Sequence, residues 1–334
     1  MANCSNLFKV YGSTITLADA KVKGLKKSRK SIRTRIRRYF TDNKPNEIQP
    51  KFSSQGSIVH GTTTEPLPKK VEKDGKEYTF TEYDVDDGIY FRGDIADRKS
   101  VQTYHNWILE AVKGQTQTFD PEDKTTCVRV LYSDGHHIDL PIYFKEEDEV
   151  PTLAHKTKGY IDSDPLAFTE WLRAKTDANP QILRLIKYMK GWKVYREDCR
   201  ADKVFPSGFV LSILVCNHFV SNDRDDISFK ETLSNMHTSL SSYDGFKCYR
   251  PTTPSDEDLL SSYSHKDYFL SHLKAIVAGG TEALKAKNQK VACQIWQSFF
   301  GSRFSCATAK DEDEVSSVSP AFGSTAAKSR PWVD

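Results

Sequence analysis

The sequence predicts an α+β fold, a mixed or antiparallel sheet with covering helices in the first half and a helical lobe in the second. Three observations predict it. Strand-like segments lie before residue 145 and include a strong hairpin signal, Ser133-Asp134-Gly135, between two apolar runs. From Asp164 onward helical periodicity takes over, with Asp164-Pro165, Asn179-Pro180 and Pro206 placing prolines where helices begin. A chain of 334 residues, 38% of them hydrophobic, can fill the cores of about two lobes.

In chain order, the first helix is expected from about Thr16 to Phe40. Thr16 and Asp19 form a capping pair, and Leu25, Ile32, Ile36 and Phe40 form an apolar stripe. Between Lys21 and Arg38 this helix carries ten basic residues and no acid. That face reads as the solvated side of a spine helix in preference to a groove for nucleic acid, since no zinc-ligand cluster accompanies it. A short extended piece over Ile48–Ser53 leads into a Gly/Ser/Thr turn over Gln55–Thr63 and a charged loop over Pro66–Lys76. Tyr78–Phe91 reads as a strand. Val101–Val112 reads as a helix with Val101, Tyr104, Ile108 and Val112 on one face, and Thr126–Tyr132 and His136–Phe144 read as paired strands. Helices follow from Pro165 to about Lys175, from Pro180 to about Tyr195 and from Pro206, then near 228–240, 257–285 and 288–300. Residues 306–334, Ser/Ala-rich with an acidic run and no apolar period, read as a flexible tail. The organisation expected is a core over 1–160, a helical lobe over 161–305 and the tail.

Composition removes several function classes. Charged residues make up 28%, and the most apolar run, Phe209–Val220, is too short to span a bilayer and contains His218. No secretory signal precedes the first helix, so no membrane partner and a cytoplasmic location are expected. The seven cysteines form no CxxC pair and no zinc spacing, which reads as reduced thiols. A net charge of +3 suits a protein that handles phosphates without requiring nucleic acid.

The chemistry concentrates in Tyr83-Asp84-Val85-Asp86-Asp87-Gly88. On a strand, Asp84 and Asp86 share a face while Tyr83, Val85 and Asp87 turn away. Asp139, also set among apolar residues on a strand, is a third candidate. Carboxylates about 4 Å apart repel by roughly 4 kcal/mol per pair near a surface. A pair of hard divalent ions bound partly through substrate phosphates, Mg²⁺ with Mn²⁺ as substitute, removes that repulsion. Upstream, Gln55-Gly56-Ser57 offers a glycine that lets backbone approach a phosphate and a hydroxyl that can donate to it. Arg184, Lys187 and Lys190 recur every three residues and can share one basic helix face. Pro206-Ser207 places a hydroxyl at a helix start, where an anion or a plain cap both fit.

A Gly-Ser turn, a DxD strand and a third strand acid, in that order, form the layout of polymerase-β-type nucleotidyltransferases. With Tyr160-Ile161-Asp162-Ser163-Asp164-Pro165, Lys187-Tyr188-Met189-Lys190-Gly191-Trp192 and Pro206-Ser207-Gly208, the chain resembles the bacterial cGAS/DncV-like nucleotidyltransferases of CBASS anti-phage defence. Within them it looks closest to the branch of the Vibrio cyclic GMP-AMP synthase, over roughly residues 17–305. The resemblance implies that Asp84 and Asp86 hold the metal ions and that Asp139 helps activate the acceptor hydroxyl. It also implies that Gln55, Gly56 and Ser57 contact the donor nucleotide, that Lys190 and Ser207 hold its triphosphate, and that Ser163 and Asp164 lie at the nucleobase or acceptor pocket. Nucleoside triphosphates, ATP or GTP, are the expected substrates, a cyclic di- or trinucleotide the expected product, and CBASS accessory proteins the expected partners. A linear oligonucleotide or adenylyl transferase, and a nucleic-acid sensor with secondary catalysis, are the competing readings. Many family members are conjugated through a small C-terminal residue, and Ser329–Asp334 departs from that pattern.

Overall fold

The computed structural model of the chain describes residues 1–73, 75–199 and 204–312. Two helices open it, α1 (Ser5–Thr14) and α2 (Asp19–Asn43), where one was expected from Thr16. Ala18, without a side-chain cap, precedes α2, and Asp19 sits in its first turn, so Thr16 does not cap the helix. Next come β1 (Lys51–Gln55), the short α3 (Gly56–His60), β2 (Lys69–Lys73), β3 (Lys76–Phe80), β4 (Asp84–Arg92), α4 (Val101–Val112), β5 (Glu122–Asp123), β6 (Cys127–Leu131), β7 (His137–Lys145), β8 (Thr152–His155) and β9 (Gly159–Asp162). The second half is helical: α5 (Pro165–Ala178), α6 (Pro180–Cys199), α7 (Gly208–His218), α8 (Asp225–Leu240), α9 (Lys266–Lys285) and α10 (Gln289–Phe300).

The main sheet runs β1-β4-β7-β6-β5, with β8 and β9 attached beside β7. Its central pair, β4 and β7, is parallel, so the sheet is mixed and not antiparallel throughout. A parallel pair needs a crossover, which α4, β5 and β6 supply. The expected charged loop at Pro66–Lys76 instead forms one arm of the β2–β3 hairpin. The single strand expected over Tyr78–Phe91 breaks at residues 81–83. Phe80 packs with Phe119 and Leu131, whereas Tyr83 joins the main core, so the chain changes sheets between them.

Alternation sorts the central strands. Val85, Ile89 and Phe91 of β4 and Ile138, Leu140, Ile142 and Phe144 of β7 pack against the apolar faces of α2 and α4, including Ile32, Ile36, Tyr104 and Ile108. The opposite face of both strands carries Asp84, Asp86 and Asp139. A second core fills the helical lobe. Its hub is Phe8 of α1, fully buried against Tyr188, Phe229, Trp296, Phe300 and Phe304. The first ten-residue helix therefore packs with the last one, although the sequence reading grouped it with residues 1–160.

Two further expectations change. Cys293 and Cys306 form a disulfide, so these two are not the reduced thiols expected, while Cys127, Cys199, Cys216 and Cys248 are free. Residues 306–311 are held to the start of α10 by the Lys290 amide on the Lys310 carbonyl (3.0 Å) and by Lys290 on Asp311 (2.8 Å), so the tail does not begin at Cys306. The rest of the expected tail, from residue 313, lies outside the described residues. Among the described residues no helix is long and apolar enough to cross a membrane.

Candidate active site

The register of the parallel pair builds the site. Asp84 stands opposite His137, and Asp86 opposite Asp139. Because alternate residues share a face, these four side chains project from one patch on the side away from α2 and α4. Asp87, the third acid of the run, points the other way. It is fully buried and paired with Arg33 of α2 through Nε to Oδ2 (2.6 Å) and Nη2 to Oδ1. That carboxylate docks the basic helix on the sheet.

Asp84 and Asp86 have no hydrogen-bond or ion-pair partner among the described residues. Burial pushes the Asp86 carboxyl well above the usual range, and repulsion from Asp84 and Asp139 adds to it. Asp84 is raised as well, first by burial, with His137 opposing and Asp139 reinforcing the shift. A carboxylate pair in that condition calls for a cation. Asp139 differs: Arg129 of β6 grips both its oxygens, Nε to Oδ1 at 2.7 Å and Nη2 to Oδ2 at 2.8 Å. This pair fixes the orientation of Asp139 and supplies a counter-charge, and its hydrogen bonds push the guanidinium pKa up.

Gly56 follows β1 directly beneath Asp86. A Cβ there would lie 2.0 Å from Asp86 Oδ2, and φ of +76° adds a backbone reason for glycine. Gln55 donates to the Tyr143 hydroxyl (3.1 Å), while its Oε1 is buried without a partner. Gly88 leaves room for that oxygen, since a Cβ would come within 2.8 Å of it. The Ser57 hydroxyl bonds Thr63 Oγ1 at 2.8 Å.

A cleft of about 410 Å³ opens over these groups. The sheet side contributes Gly56, Ser57, Asp84 and Asp86, and the helical lobe contributes Lys190, Gly208, Phe209 and Ser212. Lys190 reaches across from α6 to the Thr62 carbonyl (3.2 Å) and hydroxyl (2.9 Å). Burial lowers its pKa to about 8 against the pull of Asp84. A second cavity of about 250 Å³, lined by Gln55, Tyr143, Ser163, Asp164 and Arg250, adjoins the first, and both border Asp86. Two chambers meeting at one carboxylate can hold two substrates with their reacting ends together.

The remaining candidates stand at different distances from this centre. Lys187 donates to Thr16 Oγ1 (3.2 Å) and lies outside the cleft lining. Arg184 leaves the basic face altogether, its guanidinium making two 2.7 Å bonds to buried Asp225. Ser207 is exposed and caps α7, accepting from the Val210 amide (3.2 Å), while its neighbours Gly208 and Phe209 line the cleft. Asp164 caps α5 through the amides of Leu166 and Ala167, both at 3.0 Å. Sequence reasoning missed Arg129, Thr62, His60, Phe209 and Arg250, which carry no local pattern. His137 did carry one, since it precedes Asp139 by two on a strand. His60, between the two cavities and bonded to Thr169 (3.0 Å), has its pKa lowered to about 4, chiefly by burial and also by Lys190 and Arg173.

Comparison with known proteins gives a consistent picture. Residues 50–143, which span β1 to Tyr143 and contain all three acids, match the family model of the cyclic GMP-AMP synthase DncV-like nucleotidyltransferase domain. A cyclic GMP-AMP synthase of Escherichia albertii is 27% identical over 201 residues, which cover 58% of this chain and 42% of that protein. The chain thus spans less than half the length of that curated relative. The Vibrio cholerae DncV cyclic AMP-GMP synthase solved with nonhydrolyzable GTP superposes with a TM-score of 0.74 at 18% identity, covering 91% of this chain and 97% of the other. The same enzyme solved with the linear intermediate 5′ pppA(3′,5′)pG gives a TM-score of 0.70 at 19% identity, covering 87% and 93%. At such identity the likeness is one of fold, an α+β nucleotidyltransferase core with a helical C-terminal region.

Proposed function

We propose, from the premise that residues 50–143 are a DncV-like nucleotidyltransferase domain within that fold, that the chain joins nucleoside triphosphates into a cyclic di- or trinucleotide and releases pyrophosphate. The observation that carries the reading is the pair of carboxylates, Asp84 and Asp86, without partners among the described residues, both in the larger cavity and Asp86 also bordering the second.

Asp84 and Asp86, with Asp139, are the residues that would hold divalent cations. Their crowding and the burial-raised carboxyl of Asp86 fit such ions. When bound, Mg²⁺, two ions with Mn²⁺ as substitute, supplies charge neutralisation on the transferring phosphate and makes the attacking hydroxyl more acidic. The chain's own residues do the rest. Gly56 lets the backbone pass close against Asp86, and Ser57, which lines the cleft, would donate to a phosphate held there. Lys190, positive at neutral pH and already near Thr62, draws the triphosphate across the cleft from the helical side. The adjoining cavity, with Ser163, Asp164 and Arg250, takes the acceptor nucleotide. Its 3′- or 2′-hydroxyl forms a bond to the donor α-phosphorus as the bond to the β-phosphate oxygen breaks. The hydroxyl proton leaves towards Asp139, which Arg129 keeps aligned. A linear intermediate that turns round presents the same groups for a second transfer and ring closure.

The nucleic-acid sensor is the weaker rival. On α2, Arg29 donates to Ser54 (2.5 Å), Arg33 pairs with Asp87, Arg35 binds the carbonyls of Ala111 and Lys113, and Arg37 lies over Phe52. Much of the basic helix is thus occupied by its own protein. Anti-phage signalling in the cytoplasm, with accessory proteins of that system, is the biological role that fits the activity. The test is incubation with all four triphosphates and Mg²⁺, then phosphatase treatment and mass spectrometry. A phosphatase-resistant cyclic product that disappears in Asp84→Ala/Asp86→Ala is expected. A linear, phosphatase-sensitive product establishes the simpler transferase instead.

A further inference from the structure

We infer that His137 is a nitrogen ligand in the metal centre, and that with Asp84 and Asp139 it biases the site towards Mn²⁺ over Mg²⁺. The inference rests on the nucleotidyltransferase reading of this site and adds to it a residue and a cation preference.

His137 stands opposite Asp84 across the parallel pair and two residues before Asp139, so all three side chains share a face. One ligand atom from each lies within 4.8 Å of the others. The ring is mostly buried, its side chain 13% exposed, yet it makes no hydrogen bond among the described residues. Its Nε2 approaches Asp139 Oδ2 only to 4.0 Å, beyond hydrogen-bond reach. Ligands on one six-coordinate ion with bonds of about 2.1 Å lie roughly 3.0 Å apart when adjacent and 4.2 Å when opposite. The spread of this trio is therefore that of atoms around a shared cation after a small adjustment. Asp84 also has no hydrogen-bond partner for its carboxylate among the described residues. Asp139 Oδ2, although it accepts from Arg129 at 2.8 Å, keeps a second lone pair. Mg²⁺ takes oxygen ligands and gives up its water reluctantly, whereas first-row divalent ions accept an imidazole nitrogen more readily. An all-carboxylate centre has no such bias, and one histidine on its edge creates it.

The test uses metal alone on the full chain, without nucleotide. Mn²⁺ is added to the wild type, His137→Gln and Asp84→Asn, with binding followed by EPR and directly bound nitrogen by pulsed EPR. Mg²⁺ affinity is read by competition, and circular dichroism checks that each variant is folded. The expected result is a nitrogen modulation in the wild type that His137→Gln abolishes. Mn²⁺ affinity falls at least about tenfold while Mg²⁺ affinity changes by less than about threefold. Wild type that binds Mn²⁺ with no nitrogen modulation, or a His137→Gln variant that loses both ions equally, overturns the inference and leaves the nucleotidyltransferase reading intact. Wild type that binds neither ion at the aspartates overturns both.

Discussion

At the scale of single residues, the site is a place where the protein accepts instability. Asp86 has a carboxyl pKa raised above its unfolded value by burial and by two like charges. A raised acid contributes fully to stability only below its unfolded pKa, and loses that contribution as pH rises through the folded one. At neutral pH, above the unfolded value, holding this carboxyl in its site therefore weighs against the metal-free fold. Asp86→Asn should abolish product and at the same time raise the melting temperature in EDTA at pH 7, with the gain shrinking towards pH 4. Calorimetry across that range checks it, and an unchanged or lower melting temperature at pH 7 would show that Asp86 is not held in a repulsive cluster. The two acids and Gly56 were legible because strand alternation and a glycine before a DxD strand are local patterns. Arg129 was not, because its role comes from standing opposite Asp139 on the neighbouring strand.

At the scale of elements, α2 depends on a charge that the strand buries. Asp87 is fully buried and Arg33 is its cation, so removing the arginine strands a carboxylate between helix and sheet. Arg33→Met should cost about 3–5 kcal/mol in chemical denaturation, and Arg33→Met/Asp87→Leu should recover most of it. A double variant no better than the single one would mean that the pair specifies the docking and not merely its own neutrality. Sequence reading found α2 by its apolar stripe but could not tell which arginines face solvent, since helical period gives a face and not a partner. It found α4 at its full extent for the same reason, and it missed α1. That helix is held by distant partners, its rings packing against Tyr188, Trp296 and Phe300 and the Cys4 amide donating to Asp226 (2.9 Å).

At the scale of the whole molecule, the cleft joins two cores. Asp84 and Asp86 come from the sheet, and Lys190 and Phe209 from the helical lobe, so a nucleotide bound there as proposed would touch both. ATP or GTP with Mg²⁺ should therefore raise the melting temperature of the chain as one transition, by the equivalent of about 2.7 kcal/mol at a hundredfold excess over Kd, and Asp84→Ala/Asp86→Ala should lose that shift. Scanning calorimetry reads it directly, and a ligand that moves only one of two separate transitions would place its site within a single lobe. What the sequence by itself determined is the α+β class, the helical run after Asp164 and the strand positions of Asp84, Asp86 and Asp139, because apolar period, turn chemistry and strand alternation act over a few residues. Only the tertiary structure decided that β4 and β7 run parallel with Asp86 beside Asp139, and that Arg184 belongs to Asp225 and not to the cleft. It alone decided that α1 closes the helical core and that Cys293 meets Cys306. Those outcomes depend on which distant surfaces bury each other, and burial between distant segments leaves no trace in local spacing.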